Sequence, residues 1–325
     1  MKKLSSHSVI GFLAGGLVCS LTCCLFMASR DWKEVREERP TVSAMTVTPE
    51  VPDSVGFCGK NIDLTRYDRR EGFDRELSSF TYLHSTTLLL FKRANRYFPV
   101  IEPVLKEYGI PDDFKYLAVI ESHLEPRVAS HAHAVGMWQL LEGTAREFGL
   151  TITPTVDERC HVEKATVAAC KYLKSAYKKY GDWTAVASSY NAGMGRISGE
   201  LEKQHADHSF DLWLVEETTR YIFRIMAVKQ LFENPYKYGF VFRPRDLYKP
   251  IACDEVTVSA DIQDLAAFAK QYGATYADLK RFNPWLRDRK LQTAGKSYTL
   301  KVPREEDMYY NNPNNTVHNP AWVVK

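Results

Sequence analysis

Glu121 is the residue whose type and position most clearly suggest chemistry. Phe114, Leu117, Ala118 and Glu121 follow one another at i, i+3, i+4 and i+7, so a helix through this stretch carries them on one face. The carboxylate then lies in an apolar stripe, where burial disfavours the ionised form and raises the pKa. A carboxylic acid that keeps its proton near neutral pH can donate it to a leaving group. Pairing with a buried arginine, or capping a neighbouring helix, is the simpler interpretation of the spacing alone.

Short motifs around and after Glu121 favour the catalytic interpretation. In chain order they are Glu121-Ser122, Ala129-Ser130, AVGMWQ at 134–139, Thr144-Ala145, VDER at 156–159, Ala165-Thr166 and YNAG at 190–193. Over about residues 111–227 the chain resembles the lytic transglycosylase domain of the goose-type lysozyme superfamily. The resemblance implies an α-helical domain that cleaves the glycan strands of peptidoglycan, with Glu121 as the catalytic glutamate.

The resemblance also implies a set of substrate contacts. Gln139 and the backbone around Met137 are expected to line a sugar cleft, and Tyr221 is expected to assist near the catalytic glutamate. A phenol and a carboxamide at a helix end can bind hydroxyl and acetamido groups. The predicted substrate-binding residues are Ser122, Met137, Gln139, Tyr190, Asn191 and Tyr221. Burial in the core is an equally good interpretation of Met137 and Trp138.

Two residues depart from the family pattern. His133 stands where glycine is usual, and Glu142 stands where proline is usual. His133 adds bulk and a titratable group beside the catalytic loop, which puts the shape of that loop in question. His123, His131 and His133 lack a further cysteine or carboxylate at ligand spacing, so we predict no metal and no cofactor.

Composition limits the partners of the chain. The formal net charge is +3, and no basic stripe interleaved with aromatic residues occurs, so we expect no nucleic-acid partner. The hydrophobic fraction of 45% and the charged fraction of 26% are typical of a soluble globular protein. A length of 325 residues suggests two domains with appendages. We expect a monomer whose partner is the peptidoglycan glycan strand.

The first 29 residues are predicted to be a signal peptide or a membrane anchor. Lys2 and Lys3 precede an apolar run at 9–28, which is long enough to span a bilayer. The run includes Leu21-Thr22-Cys23-Cys24, which partly resembles a bacterial lipobox with Cys24 as the lipidated residue. Cys23 replaces the usual small residue there, and apolar residues follow. We therefore predict export to the bacterial envelope, in the periplasm with membrane contact, and leave the mode of anchoring open.

Two segments are predicted between this leader and the catalytic domain. Residues 30–62 carry scattered prolines and no helical period, which indicates a linker with little fixed structure. Residues 63–110 are predicted to be packing helices. An apolar stripe at 73–98 forms the first, and Pro99 introduces a second that ends near Gly109. A partner-binding helix is the alternative.

Periodicity and stop signals predict the helices of a catalytic domain at 111–243. The expected helices are one starting at Pro111 and carrying Glu121, one at 136–148, one at 162–180 stopped by Gly181, one from the cap Asp182 to Asn191, and one at 217–232.

A second, smaller module is predicted at 251–304. Strand signals at 255–258 and 298–302 flank two short helices at 265–272 and 276–282, and Asn283-Pro284 makes a turn. This β-α-α-β order resembles a LysM glycan-binding module, although Ser259-Ala260-Asp261 replaces the usual entry motif. A packing domain without a ligand remains the alternative. We expect an α+β fold, a mainly helical lysozyme-like domain followed by this module, with a disordered tail at 305–325.

Four cysteines lie outside the leader: Cys58, Cys160, Cys170 and Cys253. On one helix the α-carbons of Cys160 and Cys170 would be about 15 Å apart, which is too far for a disulfide. A bond between Cys58 and Cys253 stays open.

The leading hypothesis is cleavage of the β-1,4 bond between N-acetylmuramic acid and N-acetylglucosamine, with formation of a 1,6-anhydro ring. By resemblance, Glu121 acts first as the acid and then as the base toward the muramyl 6-hydroxyl. Hydrolysis of the same bond is the close rival and needs a second carboxylate. The candidates for that second carboxylate are Glu125, Glu142, Asp157 and Glu158, with Glu142 the strongest. A non-catalytic wall-binding protein is the alternative from another class.

Overall fold

The computed structural model describes residues 46–311 and 316–324. Nearly all of these belong to one compact unit, Pro49–Lys325. The predicted leader at 1–29 lies outside the described residues. Within the described part of the chain, no helix is both long enough and apolar enough to cross a membrane.

The described chain is mainly helical with two small sheets, which confirms the predicted fold class. A hairpin comes first, formed by β1 (Ser54–Phe57) and β2 (Lys60–Asp63). The helices that follow are α1 (Tyr67–Tyr82), α2 (His84–Tyr108), α3 (Lys115–Ser122), α4 (Glu142–Glu147), α5 (Val162–Tyr180), α6 (Trp183–Ala192), α7 (Met194–Lys203) and α8 (Glu216–Glu233). The last elements are β3 (Cys253–Val258), α9 (Leu265–Gln271), α10 (Tyr276–Phe282) and β4 (Tyr298–Pro303).

The prediction of an unstructured linker is wrong over residues 54–62, which form the hairpin. Val55 and Phe57 are buried, and the Phe57 ring packs 5.9 Å from the Phe114 ring, just ahead of α3. The Cys58 backbone N–H donates to the Asp113 carboxylate at 2.6 Å. These contacts join the hairpin to residues far along the chain, and local composition carries no signal for them.

The break between the first two long helices lies at Leu83, and the prediction of a break at Pro99 is wrong. The Thr87 hydroxyl donates to the Phe80 carbonyl at 2.5 Å across the true break. Pro99 and Pro103 both lie inside α2, on its exposed side. Carbonyls that a proline leaves unpaired on that side can be hydrated, so the helix continues.

The helix predicted at 136–148 begins only at Glu142. Gly136 (φ +86°) and Gln139 (φ +46°) adopt left-handed backbone conformations, which interrupt a helix. Instead, residues 128–140 form a loop, here named the catalytic loop because it follows the predicted catalytic residue Glu121. Isolated β-bridges from Val135 to Ala129 and to Leu140 hold it.

Helices α5 and α6 match their predicted bounds closely. Gly181 ends α5 in a left-handed conformation (φ +62°), and the Asp182 side chain accepts a hydrogen bond from the Ala185 N–H at the start of α6. Both are local signals, and for this reason the sequence was sufficient here. Helix α7 was not predicted.

The C-terminal module folds as predicted, with β3 and β4 paired antiparallel. Its small core is formed by residues that include Leu265, Leu279, Trp285, Leu286 and Leu300. Val156 and Cys160, which precede α5, belong to the same core, so the module packs directly on the helical part. The domain boundaries themselves stay a prediction. The four described cysteines, among them Cys58 and Cys253, are free thiols.

The prediction of a disordered tail is wrong for the described residues beyond 305. Trp322 is 2% exposed, and its indole N–H donates to the Phe232 carbonyl at 2.9 Å. Its ring packs edge-on against Phe91 and Phe98. The Asn95 side chain also binds the tail, at the Thr316 carbonyl and the His318 N–H. The tail therefore forms part of the main core.

Trp322→Ala is expected to destabilise the fold by about 3–5 kcal/mol, because it opens a cavity among packed aromatic rings. Urea denaturation of the chain without the predicted leader measures the change. Trp213→Ala is the matched control, since Trp213 is 89% exposed, and it should change the free energy of unfolding by less than about 0.5 kcal/mol. Equal effects of the two variants would contradict a packed tail.

Candidate active site

Glu121 lies in the last turn of α3, on the buried face that the spacing predicts. Phe114, Leu117 and Ala118 are fully buried ahead of it, whereas Glu121 keeps part of its surface exposed. The helix ends at Ser122, and the next residue, His123, has a left-handed backbone (φ +54°). The carboxylate thus lies at the edge of the core, where it is open to a ligand.

Burial raises the pKa of Glu121 from its ordinary 4.5 to about 7. The Tyr221 hydroxyl and the Arg224 guanidinium act in the opposite direction, and the Glu217 carboxylate raises the pKa further. Near neutral pH the protonated and ionised forms therefore coexist. A side chain with this property can serve as a general acid and then as a general base.

Helix α8 supplies the groups that surround Glu121. The Tyr221 hydroxyl, which is almost fully buried, donates a short hydrogen bond to the Glu121 carboxylate. Arg224 donates to the Ile120 carbonyl at 3.4 Å, which draws its charge toward the end of α3. Glu217 precedes Tyr221 by one turn and is exposed. The sequence prediction included Tyr221 but missed Glu217 and Arg224, although their i, i+4, i+7 spacing places all three on one helix face.

Tyr190 and Asn191 lie at the end of α6, as predicted. The Tyr190 hydroxyl donates to the Trp138 carbonyl at 2.7 Å. Burial, and after it the negative charge of Glu121, raises the pKa of this phenol. The Asn191 carbonyl oxygen accepts from the Thr218 hydroxyl at 2.8 Å, which fixes the side chain against α8. Within the described chain its NH₂ group has no hydrogen-bond partner, so it can donate to a ligand.

Three other predicted residues hold the catalytic loop. The Ser122 hydroxyl donates to the Met137 carbonyl at 2.8 Å. The Gln139 amide donates to the carbonyls of Val128 and Gly136, at 3.2 and 2.9 Å. Because Ser122 and Met137 are buried, Met137 can reach a substrate only through its backbone. Their contact with substrate stays a prediction, whereas their bracing of the loop is visible in these hydrogen bonds.

The four carboxylates that rival Glu121 each have a cationic partner. Their shortest ion-pair distances are 3.1 Å for Glu125 with Arg93, 2.8 Å for Glu142 with Arg146, 2.8 Å for Asp157 with Arg159, and 2.5 Å for Glu158 with Lys164. Burial of Glu158 acts to raise its pKa, but its hydrogen bonds to Lys164 and Thr151 hold the pKa below the ordinary value. Glu121, by contrast, has the hydroxyl of Tyr221 as its hydrogen-bond partner and a pKa raised to about 7.

Comparison with known proteins agrees with this geometry. Residues 99–212, which include Glu121, Tyr190 and Asn191, match the family model of the transglycosylase SLT domain. This part of the chain is therefore similar to a transglycosylase SLT domain. Residues 254–306 match the C-terminal LysM-like domain of soluble lytic transglycosylases. Both resemblances inferred from the motifs are confirmed. Tyr221 lies beyond the matched SLT residues.

Curated relatives extend the likeness along the chain. Membrane-bound lytic murein transglycosylase D of Escherichia coli K12 is 30% identical over 241 residues, which cover 73% of this chain and 52% of the relative. Membrane-bound lytic murein transglycosylase F of Aeromonas hydrophila is 27% identical over 150 residues, covering 41% of this chain and 28% of the relative. The chain thus spans about half the length of the first relative.

Among solved structures, the 70 kDa soluble lytic transglycosylase of Escherichia coli is similar to this chain. It is 22% identical, with a TM-score of 0.38, over 44% of this chain and 24% of that one.

Tyr221→Phe should move the alkaline limb of the pH profile of kcat/KM upward. The Tyr221 hydroxyl lowers the pKa of Glu121 and so opposes the effect of burial. Removing the hydroxyl should therefore raise the pKa of Glu121 above about 7. Activity should also fall at the optimum, because the carboxylate loses its hydrogen-bond donor. Tyr177→Phe, a partly exposed tyrosine on α5, is the control. A limb that stays in place or moves downward would refute the assigned interaction.

Proposed function

We propose that this chain is a peptidoglycan lytic transglycosylase. It cleaves the β-1,4 bond between N-acetylmuramic acid and N-acetylglucosamine and leaves 1,6-anhydro-muramyl ends. The observation that carries the proposal is Glu121, a partly buried carboxyl with a pKa of about 7 that lies within the residues matching the SLT domain and accepts a hydrogen bond from Tyr221. The names of the curated relatives, as lytic murein transglycosylases, support it.

In the first step, protonated Glu121 donates its proton to the glycosidic oxygen. The bond between that oxygen and the muramyl C1 then breaks, and Glu121 becomes a carboxylate. Tyr221 stabilises this new charge through its hydrogen bond, and Arg224 stabilises it electrostatically. Both groups are already in place, so the charge forms without reorganisation of its surroundings.

In the second step, the Glu121 carboxylate accepts the proton of the muramyl 6-hydroxyl while O6 bonds to C1. The glutamate recovers the proton that it gave, and no water is consumed. A single carboxyl group therefore suffices, provided that the substrate supplies its own nucleophile. The NH₂ of Asn191, which has no partner among the described residues, is suited to the acetamido carbonyl of a bound sugar.

Hydrolysis fits the arrangement less well. It requires a base across the sugar ring to activate water. Glu142, the strongest rival candidate in the sequence, accepts two hydrogen bonds from Arg146 at 3.0 and 2.8 Å on an exposed helix surface. Glu217 acts electrostatically on Glu121, but its side chain is exposed.

The setting of the enzyme is also proposed. Relatives named as membrane-bound support a place in the bacterial envelope, and the leader predicted at 1–29 would carry the chain to the periplasm. Contact with the membrane through that leader, and action as a monomer on glycan strands, belong to the same proposal.

Digestion of purified sacculi in oxygen-18 water tests the reaction directly. Anhydro-muropeptides lighter by one water than hydrolysed ends, and free of the heavy label, are expected. Mass spectrometry measures both properties on the same products. Labelled reducing ends would establish a hydrolase, and sacculi left intact under conditions where the fold is retained would favour a non-catalytic wall-binding protein.

Glu121→Gln should reduce kcat by at least about 10²–10⁴-fold, because the amide keeps the volume but exchanges no proton. The variant should not be destabilised. A glutamate whose pKa is raised on folding contributes stability at acidic pH, which is lost as the pH rises through about 7. The melting temperature of the variant relative to the wild type should therefore increase between pH 5 and pH 8. Glu142→Gln is the matched control and should keep wild-type activity. Loss of activity in the control alone would assign the chemistry to Glu142.

A further inference from the structure

We propose that Arg159 is a positioning residue for the catalytic loop, and that the C-terminal module holds Arg159 in place through residues 155–157. The module is then a working part of the active site rather than an appendage. The inference rests on the proposed function for its effect on turnover. Its structural half, the link from module to loop, stands without it.

The module binds residues 155–157 mainly through the turn that follows α10. The Asp157 N–H donates to the Trp285 carbonyl at 2.8 Å, and the Arg287 N–H donates to the Thr155 carbonyl at 2.9 Å. Val156 lies between these two bonds in a β-bridge with Leu286, and its side chain is fully buried in the core of the module. The backbone on either side of Val156 is therefore fixed by a partner more than a hundred residues away.

Asp157 passes this constraint to Arg159. One carboxylate oxygen accepts from the Arg159 Nε at 3.0 Å and from its backbone N–H at 3.2 Å, and the other accepts from Nη2 at 2.8 Å. Both side chains are 7% exposed. A two-pronged pair of this kind fixes the plane of the guanidinium as well as its position. Removing the Asp157 charge would leave the buried guanidinium without its counterion.

Arg159 in turn fixes the catalytic loop. Its Nη1 donates to the carbonyls of His133 and Leu140, at 3.1 and 3.3 Å. Gly136 lies directly against the Arg159 backbone, so close that an added Cβ would fall 1.9 Å from the Arg159 carbonyl oxygen. Arg159 thus contacts the catalytic loop at His133, at Gly136 and at Leu140.

The catalytic loop contacts α3 through Ser122, the residue that follows Glu121. The Ser122 hydroxyl donates to the Met137 carbonyl, and the Tyr190 hydroxyl donates to that of Trp138. The loop is therefore fixed against the end of α3, one residue from Glu121. Hydrogen bonds and the chain itself connect the module to this point.

Two variants interrupt this path at different points in the full-length exported protein. Leu286→Ala removes the side chain of the module that flanks Val156, and Asp157→Asn removes the counterion of Arg159. Lys301→Ala is the matched control, because Lys301 pairs with Glu163 on α5 and joins the module to the helical part away from the path. Each variant is assayed by hydrogen exchange of residues 133–140 and by kcat and KM on soluble, uncrosslinked glycan strands, with thermal melting to exclude global unfolding.

In both path variants we expect faster exchange of the Val135 and Leu140 amides, unchanged exchange in α5, and a fall in kcat of about 10–100-fold, since small displacements of positioned groups cost rates of this order. The pH limb assigned to Glu121 should stay in place, because its own neighbours are intact. The control should show none of these changes. Unchanged loop exchange in Leu286→Ala and Asp157→Asn would overturn the inference, as would equal effects in Lys301→Ala. Hydrogen exchange needs no substrate. It therefore tests the link between the module and the catalytic loop even if the wild type cleaves no glycan.

Discussion

The burial of one carboxyl group, Glu121, is the constraint on which the rest of the site depends. Raising its pKa from 4.5 to about 7 corresponds to about 3 kcal/mol of preference for the protonated form. Above neutral pH that preference becomes a cost to the folded state, and the remaining core must outweigh it. The apolar face of α3 causes the burial, and the partners on α8 limit it, so the pKa is set by two helices that are a hundred residues apart in sequence.

The same constraint explains why α8 carries opposing charges around one phenol. Tyr221 and Arg224 favour the carboxylate, whereas burial and Glu217 favour the acid. A site that stabilised only one form would make one half of an acid–base cycle slow. With both forms accessible, proton donation and proton recovery are each possible near neutral pH. The hydroxyl of Tyr221 is central to this balance, because it can donate to the carboxylate without itself becoming charged.

Local signals in the sequence were sufficient for the helices that carry the site but not for the contacts that shape it. The ends of α5 and α6 follow from Gly181 and Asp182, and the stripe ending at Glu121 follows from the helical period. The last part of the catalytic loop, residues 136–140, was mistaken for a helix because its apolar residues have a helical spacing. Gln139 instead has a left-handed backbone, and its side chain donates to the carbonyls of Val128 and Gly136. The tail was mistaken for disorder because its Asn-rich composition conceals Trp322, whose burial depends on rings in α2 and α8. In these cases the deciding partner is distant in sequence, and propensity carries no information about it.

The pairing of the other carboxylates bears on how a single acid can be enough. Asp157 and Glu158 are buried and would be expensive to leave uncompensated, so each is held by a cation, and both hold backbone that faces the catalytic loop or the module. Their charges therefore contribute to shape and are withdrawn from proton transfer. Because Asp157 and Glu158 have structural roles, Glu121 differs from them in being available for proton transfer. A substrate that supplies its own hydroxyl group as the nucleophile then needs no second carboxylate.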